Sequence, residues 1–159
     1  MIVLDTNIVS VVMTPDHPDL PIIDAWRQSL ADDDFATTTV TQAEILFGLA
    51  IMPDGGRRTR LVPAARAVFA SIPVLPFDSA AAEAYATIVA ERRRLGRPIG
   101  VLDAQIAAIA SSVGAAVATR NVPGFMDCGV LIVNPTPTTT ANEVVAIYRN
   151  TRLECLAWI

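Results

Sequence analysis

Lysine is absent from this 159-residue chain, and all 12 basic residues are arginine. Any grip on phosphate therefore has to come from guanidinium groups. The one histidine, His17, lies in the turn-forming stretch Thr14-Pro15-Asp16-His17-Pro18, which removes two-histidine ribonuclease chemistry and histidine-rich metal sites. Cys128 and Cys155, the two cysteines, fit no Cys-x-x-Cys spacing, so no disulfide framework or zinc site is expected and a reducing cytoplasm is the simplest setting. No apolar run reaches the roughly 18 residues of a membrane span, and Met1 to Asn7 lacks the basic start and long apolar core of a signal peptide. Charged residues are 18% of the chain and the formal net charge is −4, which argues against binding nucleic acid by bulk positive charge. What is abundant is apolar, at 52%, mostly small or branched side chains. That composition excludes disordered and collagen-like chains and predicts one domain with a dense core.

The pattern along the chain alternates strand and helix. Ile2-Val3-Leu4 reads as a short buried strand ending abruptly in Asp5-Thr6-Asn7. Ile22, Ile23, Trp26 and Leu30 recur at helical spacing, and Ala36–Val40 reads as a second strand. Helices are expected over Thr41–Ile51 and from about Thr59 to Ser71, then a short extended piece from Pro73 to Pro76. Asp78 or Ser79 is placed to cap an Ala-rich helix through Arg94 that Gly96 ends, and Leu102–Val113 forms another before Gly114. Ala115–Thr119 and Val130–Val133 complete the strands. Such alternation is the signature of a parallel sheet covered on both faces, an α/β fold. Residues 136–141 read as a Thr-rich connector and 142–159 as a C-terminal helix that packs on the domain or on a second subunit.

In open α/β sheets, ligands collect beyond the carboxyl ends of the strands. Asp5 follows the first strand, Glu44 lies in the first turn of the helix after the second, Asp103 starts the helix before the next long strand, and Asn121 follows that strand. Three carboxylates in one cleft repel one another unless a cation neutralises them. Hard oxygen donors without histidine or thiolate suit Mg²⁺ or Mn²⁺, and such an ion can activate water for attack on a phosphodiester. Each residue also has a purely structural reading. Thr41-Gln42-Ala43-Glu44 is a capping-box pattern, Asp103 complements a helix dipole, and Asn121 can turn the chain. The arginine runs, Arg57, Arg58, Arg60 and Arg66 and then Arg92, Arg93, Arg94 and Arg97, read either as phosphate contacts or as solvated helix faces. An aspartyl phosphatase is disfavoured because Asn7 stands where its second aspartate belongs and no lysine exists, and no G-x-G-x-x-G follows a strand.

Met1-Ile2-Val3-Leu4-Asp5-Thr6-Asn7, Thr41-x-x-Glu44-Ile45-x-x-Gly48, Leu102-Asp103-Ala104-x-Ile106-Ala107 and Ala118-Thr119-Arg120-Asn121, in that order, resemble a PIN-domain nuclease, nearest the VapC and FitB-like toxins of toxin–antitoxin pairs. The likeness spans residues 1–135 and implies an α/β/α sandwich with a mostly parallel sheet, followed by the helical tail of 136–159. It implies a metal-dependent endoribonuclease in which Asp5, Glu44 and Asp103 match the acidic ligands of Mg²⁺ or Mn²⁺, with Thr6 or Asn7 and Thr119 supporting them. The family's fourth acidic position falls on Asn121, an amide assigned to positioning water or phosphate, with Asp127 as a substitute if its loop folds back. Implied partners are RNA, a cognate antitoxin and a second copy of the chain, with Trp26, Leu46, Phe47 and Leu49 as a candidate antitoxin groove and Leu46 and Leu49 alternatively as core. The other reading is a PIN domain weakened by Asn121 that acts mainly as an antitoxin-binding regulatory subunit.

Overall fold

The computed structural model describes residues 1–30 and 35–136, together with the backbone of 146–148. Strand β1 (Ile2–Leu4) lies inside the sheet, flanked by β2 (Phe35–Thr38) and β4 (Ala116–Ala118). With β3 (Val74–Leu75), β5 (Ile132–Asn134) and β6 (Ala146–Tyr148) the order is β3-β2-β1-β4-β5-β6, all pairs parallel except β5 with β6. Successive side chains on a strand point to opposite faces. Accordingly Val3, Val117 and Ile132 enter one apolar cluster, and their neighbours Leu4, Ala118 and Val133 enter the other. This two-faced burial is why the strands read as continuous apolar runs.

Helices α1 (Thr6–Val12), α2 (Leu20–Gln28), α3 (Thr39–Ile51) and α4 (Gly56–Ser71) supply the Leu4 side, where Trp26 meets Phe35 edge to face at 5.4 Å. Helices α5 (Ser79–Arg94), α6 (Val101–Ser112) and α7 (Val122–Phe125) supply the Val3 side. Buried Ala81 on α5 and Ala104, Ala107 and Ala108 on α6 are small enough for helices to pack closely there.

The differences from the expected elements have local causes. Helix α1 was not anticipated; Asp5 caps it, accepting from the Thr6 N–H, so the chain leaves the strand directly into a helix. Strand β2 stops at Thr38 rather than Val40, because the Thr38 hydroxyl accepts from the Thr41 N–H and starts α3 two residues before the expected Thr41. Asp78 caps α5 as expected, and Gly96 and Gly114 take positive φ just past the ends of α5 and α6. Of the expected helix at 142–159, residues 146–148 instead form β6, in register with β5 as Ile132 opposite Tyr148; the rest lies outside the described residues. Among the described residues, no helix is long and apolar enough to cross a membrane.

Candidate functional site

Because β1, β2 and β4 are parallel, their carboxyl ends share one edge of the sheet, and Asp5, Thr38 and Thr119 fall there. Asp5 is buried, 4% exposed, and its carboxylate is ringed by donors. The Thr6 N–H donates to Oδ1 at 2.6 Å, and the Asn7 amide and the Thr119 hydroxyl donate to Oδ2, each at 2.7 Å. Thr119 is itself fixed, since its oxygen accepts from the Asn7 amide and the Asn121 backbone N–H, both at 2.9 Å. Burial pushes the Asp5 carboxyl up to about 6; the hydrogen bonds from Thr119 and Thr6 oppose this, and the charges of Asp103 and Glu44 add to it.

Glu44 is no capping-box residue. The cap sits at Thr38, which puts Glu44 in the second turn of α3, where its Oε2 accepts from the Thr6 hydroxyl at 2.5 Å. The Thr6 hydroxyl therefore serves Glu44, while the Thr6 N–H, Asn7 and Thr119 serve Asp5. A line of hydroxyls backs this edge: Thr37 donates to the Leu4 carbonyl at 3.0 Å and Thr38 to the Thr41 hydroxyl at 3.2 Å. The run Thr37-Thr38-Thr39, which closes β2 and opens α3, is the sequence signal for that support.

Asp103 stands in the first turn of α6, half-buried, its carboxyl raised by burial and held back by the charge of Arg92. The exposed Asn121 points its amide at Asp103 Oδ2, 3.4 Å away. It lies close over Gly124, where any Cβ would overlap its side chain, so glycine leaves Asn121 the room to face Asp103. Asp127 turns elsewhere: it has a φ of 61° and its carboxylate meets Arg97 at 2.9 Å.

The arginine runs divide. Arg92 is buried, donating to the Met126 carbonyl, so it braces the loop after α7 rather than forming part of a solvated face. Arg94 pairs with Glu91 at 2.7 Å, Arg58 with Asp54, and Arg60 with Asp16 at 3.8 Å. Trp26 and Leu49 are core, while Leu46 and Phe47 are 47% and 65% exposed, so half of the candidate groove is withdrawn and Leu46 is not a core residue. Cys128 is buried, its thiol pushed up to about 11 by that burial, and is inert at neutral pH.

The arrangement suits a hard cation by its donor chemistry. A buried carboxylate is hydrogen-bonded in its ionised form yet raised by desolvation and two further acids, and a positive charge would relieve that conflict. Among the described residues no cluster of three or more Asp, Glu, His or Cys side chains stands close enough together to hold a metal ion on its own. Mg²⁺ does not require one, because it keeps several waters and binds through one or two carboxylates together with substrate phosphate.

Residues 2–122 match the family model described as PIN domain. The chain is 40% identical over 139 residues to the VapC ribonuclease Y4jK of Sinorhizobium fredii, covering 85% of this chain and 97% of that one. It is 34% identical over 139 residues to toxin FitB of Neisseria gonorrhoeae, with 85% and 98% covered. The structure of FitAB bound to an IR36 DNA fragment superposes with a TM-score of 0.74 at 32% identity, over 85% of this chain and 95% of that one.

Proposed function

The chain belongs to the PIN-domain family, and on that premise we propose that it is the toxin of a toxin–antitoxin pair, an endoribonuclease that hydrolyses RNA phosphodiester bonds with Mg²⁺ or Mn²⁺. The observation that carries this reading is Asp5, buried and ringed by donors at the carboxyl edge of the sheet, with Glu44 and Asp103 close enough to raise it. Asp5, Glu44 and Asp103 would hold the ion, which when bound supplies positive charge at the scissile phosphate and makes water a better nucleophile. The chain's own residues fix the geometry. Thr6 orients Glu44; Asn7 and Thr119 hold Asp5 ionised and aimed; Asn121, resting on Asp103, positions water or a phosphate oxygen.

The apolar stripe of Ala43, Phe47 and Ile51 on α3, continued by Leu102 on α6, is exposed and open to a protein partner, either the antitoxin or a second copy of the chain. A cytoplasmic site of action fits an RNA target. The alternative, a regulatory subunit weakened by Asn121, keeps the partner and loses the chemistry.

Thr119→Val tests the reading at its support. The substitution removes the hydroxyl that both donates to Asp5 and receives the Asn7 amide, without changing shape. RNA cleavage by purified, partner-free protein should fall roughly 10–100-fold, the usual effect of losing a group that orients a metal ligand. Unchanged cleavage, mapped at the same RNA ends, would remove Asp5 from the chemistry.

A further inference from the structure

The starts of α1 and α2, the turn after β4 and the end of β5 line an open cavity of about 680 Å³ with mixed polar and apolar walls. It falls within the roughly 300–1,000 Å³ of small-molecule sites, enough for one nucleoside. Asn7 is shared between this cavity and the acids: its amide reaches Asp5, and its Oδ1 accepts from the Arg120 backbone N–H at 3.1 Å. The cavity therefore begins one side chain away from Asp5.

Its walls have a definite polarity. Arg120 donates to the Asp19 carboxylate, which neutralises the one acid of the lining and holds the guanidinium plane in place. Ile22, half exposed, offers an apolar surface. Stacking against an arginine plane and an aliphatic side chain is how unpaired bases are held. Asn134 ends β5 with its orientation settled by backbone chemistry. The Thr136 N–H, which can only donate, approaches Asn134 Oδ1 at 3.0 Å, and the Thr136 hydroxyl approaches the same oxygen at 3.2 Å. Both lone pairs of that oxygen are then taken. What Asn134 has left to offer is its NH₂ group, which has no acceptor among the described residues.

We propose that this cavity receives one nucleobase of the RNA strand, flanking the scissile phosphate. In it the Asn134 amide selects a base with a carbonyl, O6 of guanine or O4 of uracil, where adenine and cytosine carry an amino group. A fixed donor facing a carbonyl makes a hydrogen bond, and facing an amino group it leaves two donors opposed. The inference rests on the nuclease reading for the identity of the strand, and on the cavity alone for the choice of base.

The test uses the full-length protein and RNA oligonucleotides that vary one position at a time between guanine and adenine or between uracil and cytosine. Affinity is read by fluorescence anisotropy on 2′-O-methyl strands in chelator, and kcat/KM on unmodified strands with Mn²⁺. At one position the wild type should favour the carbonyl base about tenfold, in line with the discrimination of a well-placed base contact. Asn134→Asp keeps an oxygen for Thr136 and turns the free donor into an acceptor, so the preference should reverse; Asn134→Ala should abolish it. A wild type indifferent to the base, or a preference untouched in Asn134→Asp, overturns the proposal. A preference in binding that reverses in Asn134→Asp, with no cleavage by the wild type, would keep the cavity and overturn the nuclease reading instead.

Discussion

Asp5→Asn is expected to abolish RNA cleavage, with a loss well beyond the roughly 10–100-fold that follows removal of a supporting hydrogen bond, while the protein stays folded. The amide is nearly isosteric and can still accept from the Thr6 N–H, but it carries no charge and turns a donor towards Asn7 and Thr119. Asp5 faces opposed demands as a carboxylate: three donors favour its ionised form, and burial with two neighbouring acids disfavours it. Removing the charge relieves desolvation at neutral pH and offsets the opposed donors, so the variant should melt close to the wild type at pH 7.5 in chelator. Function and stability are in tension at this residue, as is common where chemistry needs a buried charge. Cleavage assays paired with thermal unfolding check both halves. A variant that cleaves normally, or one that is unfolded, would return Asp5 to a structural role.

The same conflict makes stability depend on pH with a predictable sign. Asp5 ionises near 3.8 when unfolded and near 6 when folded, so between those values the folded chain binds the extra proton. Its contribution is full below about pH 4 and is lost as pH rises through about 6, worth about 3 kcal/mol in total. Asp103 is shifted in the same direction and adds to the trend. Urea unfolding from pH 4 to pH 7.5 in chelator should show the difference between wild type and Asp5→Asn growing in the variant's favour across that window. Mn²⁺ should restore wild-type stability at the upper end, since a ligand bound only by the folded state stabilises it, and should do little for the variant. Parallel curves for the two proteins, with and without Mn²⁺, would count against the site.

Much of this was legible in the residues, for identifiable reasons. The apolar run Ile2-Val3-Leu4 predicts a strand buried on both faces, and an acid straight after it is expensive unless it has partners, which singled out Asp5. Asp78 and the glycines at 96 and 114 marked helix ends because caps and positive φ have strong local preferences. The shift at Glu44 was not legible, because Thr38 and Thr41 are equally good caps by type and only the register of β2 against its neighbours decides between them. Arg92 could not be told from Arg93 or Arg94 in a run of three; the helix phase buries it against the loop at Met126 and leaves the other two exposed. The cavity beside Asn134 joins residues from the starts of α1 and α2 and the ends of β4 and β5, far apart in the chain, and no single segment carries its signal.

The central claim is that the protein hydrolyses RNA with a divalent ion held at the sheet edge by Asp5 and the acids that act on it, Glu44 and Asp103. Its most direct test is the cleavage rate of purified, partner-free protein on an RNA pool, mapped by end sequencing, as Mn²⁺ or Mg²⁺ is titrated against chelator beside an Asp103→Asn control. The account predicts discrete ends that appear with the ion, vanish with chelator and are missing from the control. Ends that persist in chelator, or that the control produces equally well, would contradict it.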